Sequence, residues 1–194
     1  MGFKKEIIPI LLMLIILMPT GYYLAGKEVY DTVAHTNTDC WGNFDQNTPI
    51  QFAPLRSEVP LNESNNSENI TSNIMEGLSQ YWWPGYQNAT IEVVGEDLFL
   101  SAWYYNQSDS MPWIIFTHGI RGCKSGGELL ITSGMLLNAG FNVIVYDLRD
   151  HGQSSIDDNR VSGGQDEWQD VVAVFDWLIE EQGADADKIG LFGT

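Results

Sequence analysis

The stretch that decides the fold is "FNVIVYDLRDHGQS", Phe141 to Ser154. Its first half, Val143 to Tyr146, is apolar and β-rich with no alternation of polar and apolar positions. An alternating strand buries one face, whereas a continuous apolar run is buried on both. The second half carries Asp147, Arg149 and Asp150 and then turns at His151-Gly152. A strand with no solvent face, closed by a charged turn, belongs in the middle of a covered sheet.

Two further runs on either side repeat that form. Upstream, "PWIIFTHGIRG" has an apolar strand from Trp113 to Phe116 closed by His118-Gly119. Downstream, "KIGLFGT" places Ile189, Leu191 and Phe192 before Gly193 and Thr194. Helices separate the three. In "GGELLITSGMLLNAG", Leu129, Leu130, Ile131, Met135, Leu136 and Leu137 recur at helical spacing, with Glu128 in the first turn and Gly140 at the stop. In "QDEWQDVVAVFDWLIEEQG", Trp168, Val171, Val172, Phe175, Leu178 and Ile179 form the expected apolar face, and Gly183 ends it. Before all of these, Thr90 to Val94 and Leu98 to Tyr105 flank Gly95-Glu96-Asp97 and read as a hairpin.

The order is hairpin, strand, helix, strand, helix, strand. This predicts an α/β fold: a hairpin followed by parallel strands, with helices on both faces. Ligands of such sheets bind beyond the carboxyl ends of the strands. The turns at His118-Gly119, Arg149 to Gly152 and Gly193-Thr194 all fall at those ends, so they are expected to converge on one rim.

With those residues in place, "FTHGIRG", "YDLRDHGQS" and "GLFGT" together resemble the N-terminal half of an α/β-hydrolase, nearest its serine peptidase and esterase branch, over about Ala89 to Thr194. The resemblance implies that the loop at His118 and Gly119 supplies one oxyanion-hole donor, the backbone N–H of Ile120. It implies that Asp147, Arg149, His151, Gly152 and Ser154 form a structural loop at the rim. Gly193 and Thr194 match the first two positions of the family's G-x-S-x-G elbow, so the nucleophilic serine is expected immediately after Thr194, with the acid and histidine later still. On this reading the chain itself holds no catalytic triad and is inactive, and the intact protein is a hydrolase of small esters or peptides. The adjacent Asp150-His151 with Ser154 is not expected to act as a local triad, because one tight turn rarely sets three side chains in line. Two other readings stay open, both decided by the residue after Thr194. One is a membrane-tethered binding protein on a degenerate hydrolase fold. The other is a relative with aspartate or cysteine as nucleophile.

Composition sets the surroundings. The chain has 26 acids against 9 bases, a formal net charge of -17. That surface repels nucleic acid, and no metal-binding loop signature occurs, so neither metal nor nucleic acid is expected; the hydrolase resemblance implies no cofactor. Residues 1–26 begin with Lys4 and Lys5 and then run uncharged from Ile7 to Leu24. Eighteen residues at ~1.5 Å each approach the ~30 Å hydrocarbon thickness, and the lysines mark the cytoplasmic side. Residues 7–26 are therefore expected to be a single transmembrane signal-anchor in a lipid bilayer, with the hydrolase part, residues 81–194, on the extracytoplasmic side. Residues 27–80 between them include "LNESNNSENITSN" and read as a polar linker. Cleavage of the leader, N-glycosylation at Asn62, Asn65, Asn69, Asn88 or Asn106, and a disulfide between Cys40 and Cys123 are left open.

Overall fold

A computed structural model describes residues 3–36, 47–52 and 77–193. It divides into two compact units, Met1–His35 and Thr36–Thr194. In the first, α1 spans Phe3–Ala34. This helix does not stop where the apolar run stops. It continues through Lys27, Glu28 and Asp31, where Lys27 and Asp31 pair one turn apart at 2.5 Å. Among the described residues no helix is long and apolar enough to cross a membrane. The expected bilayer span over residues 7–26 is thus not supported; those residues belong to a longer helix that runs on to Ala34.

The second unit is a five-stranded sheet. Its elements are β1 (Gln87–Glu92), β2 (Phe99–Tyr105), β3 (Trp113–Thr117), α2 (Gly127–Asn138), β4 (Asn142–Tyr146), α3 (Trp168–Gln182), a 3-10 turn at Ala186–Lys188, and β5 (Ile189–Gly193). The strand order is β1-β2-β4-β3-β5. The β1–β2 and β2–β4 pairs are antiparallel, whereas β3 pairs parallel with β4 and with β5. The hairpin thus docks against the middle strand before the parallel part begins.

Every residue of β4 is buried, as its unbroken apolar run requires. Val143 and Val145 face a cluster with Phe116, Trp103, Trp83 and the α2 residues Leu129, Leu130 and Leu137. Ile144 and Tyr146 face the opposite cluster with Ile115, Leu100 and the α3 residues Val174 and Leu178. One helix therefore covers each face. Within α2, Gly134 allows the closest approach: a Cβ there would drive into the Tyr81 carbonyl, so only glycine lets the helix lie against that backbone.

Two expectations need correction. The buried face of α3 is Asp170, Ala173, Val174 and Leu178, while Trp168 and Val172 are exposed. Helical periodicity alone placed the stripe one step round, because Asp170 was not a candidate for burial. Part of the stretch read as linker also belongs to the fold. Phe52 is buried in the Trp83 cluster, and the Trp83 N–H donates to the Pro49 carbonyl at 2.9 Å. The remainder of that stretch, with Asn62, Asn65 and Asn69, lies outside the described residues, as do Cys40 and Thr194. Cys123 is disulfide-bonded.

Candidate active-site rim

Strand register sets the rim. Thr117 is level with Tyr146 on one side and with Gly193 on the other. The carboxyl ends of β3, β4 and β5 therefore stop at one height, and the segments leaving β3 and β4 meet above them. This brings together His118, Gly119, Ile120, Asp147, Arg149, His151, Gly152 and Ser154, with Gly193 beside them.

The segment after β3 makes a tight turn. The Gly122 N–H donates to the Gly119 carbonyl at 2.9 Å, which makes Ile120 and Arg121 the two central residues. Arg121 has φ 61, the left-handed conformation expected at the second central position of a type II turn but costly for any residue other than glycine. Ile120 is 58% exposed, and among the described residues no hydrogen bond takes its N–H. The turn therefore leaves the Ile120 N–H without a partner among the described residues.

Two histidines hold this turn against the segment after β4. His118 Nδ1 donates to the Gly119 carbonyl at 2.8 Å, and its Nε2 accepts the Leu148 N–H at 3.0 Å. His151 Nδ1 donates to the Arg149 carbonyl at 2.8 Å, and its Nε2 accepts the Arg121 N–H at 3.2 Å. The partners fix the tautomers: a carbonyl only accepts and a backbone N–H only donates. Burial lowers the His118 pKa from 6.5 to about 4, outweighing its bond to Gly119; His151 and Lys124 push the same way and Asp147 the other. The histidine is thus neutral at pH 7.

Between pH 6.5 and 4 the unfolded chain holds a proton on His118 that the folded chain does not. Stability is therefore lost as pH falls through that window, by about 1.4 kcal/mol per unit for this one group. His118→Gln should lose ~2 kcal/mol less than the parent between pH 6.5 and 5, read from urea midpoints. Equal losses in both proteins would contradict the assignment.

Below the turn lies a buried ion pair. Lys124 Nζ and Asp147 Oδ2 are 2.5 Å apart, with side chains 2% and 1% exposed. Asp147 also accepts the Lys124 N–H at 2.7 Å and the Gln153 N–H at 2.9 Å. Lys124 Nζ donates to Ser101 Oγ and Gln153 Oε1, each at 3.0 Å, and stands 4.9 Å over the Trp103 ring. Burial pulls the Lys124 pKa below its ordinary 10.5, against the raising effect of the Asp147 carboxylate it bonds. Gly152, at φ 52, packs where any Cβ would strike the Asp147 carboxylate.

Arg149 ties the rim to α3. Its backbone N–H and Nε donate to Asp170 at 2.8 and 2.9 Å, and a terminal nitrogen pairs with Glu96 at 2.8 Å. Asp150 Oδ1 accepts the Asp157 and Asn159 N–H groups at 2.7 and 2.9 Å. Ser154 Oγ donates to the Asp147 carbonyl at 2.6 Å and accepts the Ser101 N–H at 2.9 Å. Asp150, His151 and Ser154 therefore face different partners and form no acid–base–nucleophile line. Among the described residues no group of three or more His, Cys, Asp or Glu side chains is set to hold a metal ion.

Sequence reasoning missed Lys124, Glu96 and Asp170. Nothing local marks Lys124 in "GCKSGG". Asp170 shares a stripe with Val174 and Leu178 at steps of four, and it is buried there with Arg149 as its partner.

Comparison with known proteins is consistent with this layout. The family described as X-Pro dipeptidyl-peptidase (S15 family) matches residues 14–194. An uncharacterized 31.7 kDa protein of the traX-finO intergenic region in Escherichia coli is 30% identical over 83 residues, 43% of this chain and 28% of that one. The Pyrococcus furiosus esterase Pf2001 is 27% identical with a TM-score of 0.50, over 56% of this chain and 41% of the esterase. DcsB, solved with its substrate analogue, is 21% identical with a TM-score of 0.51, over 56% of this chain and 37% of DcsB, a likeness of fold alone. The chain thus spans well under two thirds of the length of each of these relatives.

Proposed function

Because the chain belongs to the X-Pro dipeptidyl-peptidase (S15) family and has the strand order of an α/β-hydrolase, we propose that its protein is a serine hydrolase. Its substrates would be small esters or peptides. The observation that carries this reading is the unpaired N–H of Ile120, an exposed residue on the strained turn that follows β3, whose last residue Thr117 is level with Gly193 of β5. In a polypeptide that extends beyond Thr194, the serine directly after it stands at the strand-to-helix elbow. Its Oγ, relieved of its proton by a histidine, bonds to the substrate carbonyl carbon. The carbonyl electrons move to oxygen, and the Ile120 N–H and the N–H following the serine stabilise that negative charge. Collapse expels the alcohol or amine with a proton from the histidine, and water releases the acid by the same steps. Residues His118, Gly119, Asp147, Arg149, His151, Gly152 and Ser154 shape the rim and take no part in bond making. Neither a metal nor a cofactor is called for.

We place the hydrolase unit outside the cytoplasm, a location supported by the disulfide bond of Cys123, since such bonds persist in oxidising compartments. Assay of the whole protein tests the reaction. Turnover of a p-nitrophenyl ester or of an X-Pro p-nitroanilide, abolished by a serine-directed phosphonate, is the expected result. No turnover of either would overturn the proposal and favour a non-catalytic binding role.

A further inference from the structure

We propose that His118 and His151 are a reciprocal pair of positioning residues that hold the Ile120 N–H in place at the rim. The inference rests on the hydrolase reading above and assigns a task to two side chains that the chemistry does not use.

The reciprocity is in the bonding. The side chain at 118, on the turn after β3, takes a backbone N–H from residue 148 on the segment after β4. The side chain at 151, on that second segment, takes a backbone N–H from residue 121 on the first. The two rings lie 4.9 Å apart, centroid to centroid, and both are buried. Each segment is thus fastened by a ring belonging to the other. The two fastened positions on the first segment, 118 and 121, bracket Ile120.

The turn needs such a hold. Arg121 sits in a left-handed conformation that persists only where its surroundings over-determine it. Its own N–H is the group that His151 captures, so the strained residue is tied directly. Were Arg121 to relax, the peptide preceding it would rotate, and the Ile120 N–H beside it would lose its aim. A ring suits this work better than a flexible side chain, since two nitrogens on a rigid frame set donor and acceptor at fixed separation. It requires both rings neutral with the proton on Nδ1, as their partners dictate.

The test has two arms on the whole protein. First, long-range 15N–1H spectra at pH 7 should show His118 and His151 as neutral Nδ1–H tautomers with unprotonated Nε2. A proton on either Nε2 overturns the inference, whatever the activity. Second, kinetics on an ester substrate should separate positioning from general stability. His118→Leu and His151→Leu should each lower kcat by about tenfold or more, up to the 10²–10³-fold that outright loss of an oxyanion donor costs, with KM unchanged. His118→Gln and His151→Gln, whose side-chain oxygen can still accept the N–H, should recover most of that loss. Full kcat in the Leu variants, or no recovery with Gln, overturns the positioning role while leaving the hydrolase reading standing. An inactive parent protein overturns both.

Discussion

Replacing Lys124 with methionine is expected to lower the free energy of unfolding of the intact protein by about 3–5 kcal/mol. The size follows from where the charge would be left. Lys124 and Asp147 are both almost wholly buried, and methionine fills the volume of the lysine stem without its ammonium. Asp147 would keep two backbone N–H donors, from Lys124 and Gln153, but no countercharge. A buried carboxylate stripped of its partner is among the costliest defects a fold can carry. The same substitution frees Ser101 Oγ and Gln153 Oε1 of their shared donor. The measurement is a urea titration, with a lowered midpoint at unchanged slope. Removing Asp147 as well should cost less than the sum of the two single changes, because the second change removes the stranded charge. A loss under about 1 kcal/mol for Lys124→Met, the range of an exposed pair, would mean that the pair is solvated.

The second large effect is on rate. Ile120→Pro should reduce kcat by about 10²–10³-fold, some 3 kcal/mol of transition-state stabilisation, and leave KM nearly unchanged. Proline is chosen because the first central position of such a turn accepts it, and because Gly119 before it tolerates the restriction proline imposes. The change deletes one N–H and little else. Ile120→Ala, which keeps the N–H, should retain near-parental kcat. If proline leaves kcat intact, the oxyanion is held elsewhere.

The elements that sequence revealed best were those whose residues admit one environment. Val143 to Tyr146 has no polar position to turn outward, so it had to be central, and it is. Gly140 and Gly183, at φ 90 and 63, end their helices as their position in the sequence suggests. The antiparallel docking of β2 on β4 was not legible, because pairing depends on which strand fills the edge of another rather than on either strand's composition. The face of α3 was misjudged for a related reason. Burial of Asp170 depends on Arg149, twenty-one residues away, which reaches it only once the sheet has formed. At the rim, sequence order placed the three turns together, but the bonding among them was invisible. Whether a histidine is a base or a brace depends on what its second nitrogen meets. For His118 and His151 that is a backbone N–H from the facing segment. The apolar stretch at residues 7–26 shows the reverse problem: a run long enough by count belongs to a longer helix, Phe3–Ala34, and among the described residues no helix is long and apolar enough to cross a membrane.

The most direct measurement is covalent capture of the nucleophile. The whole protein would be treated with a fluorophosphonate, digested, and the labelled peptide identified by mass spectrometry. The expected label falls on a serine directly after Thr194, in the peptide that carries "IGLFGT", and is lost when that serine is changed to alanine. A label on any other residue, or none from a folded protein, would contradict a hydrolase centre at the rim where β3, β4 and β5 end.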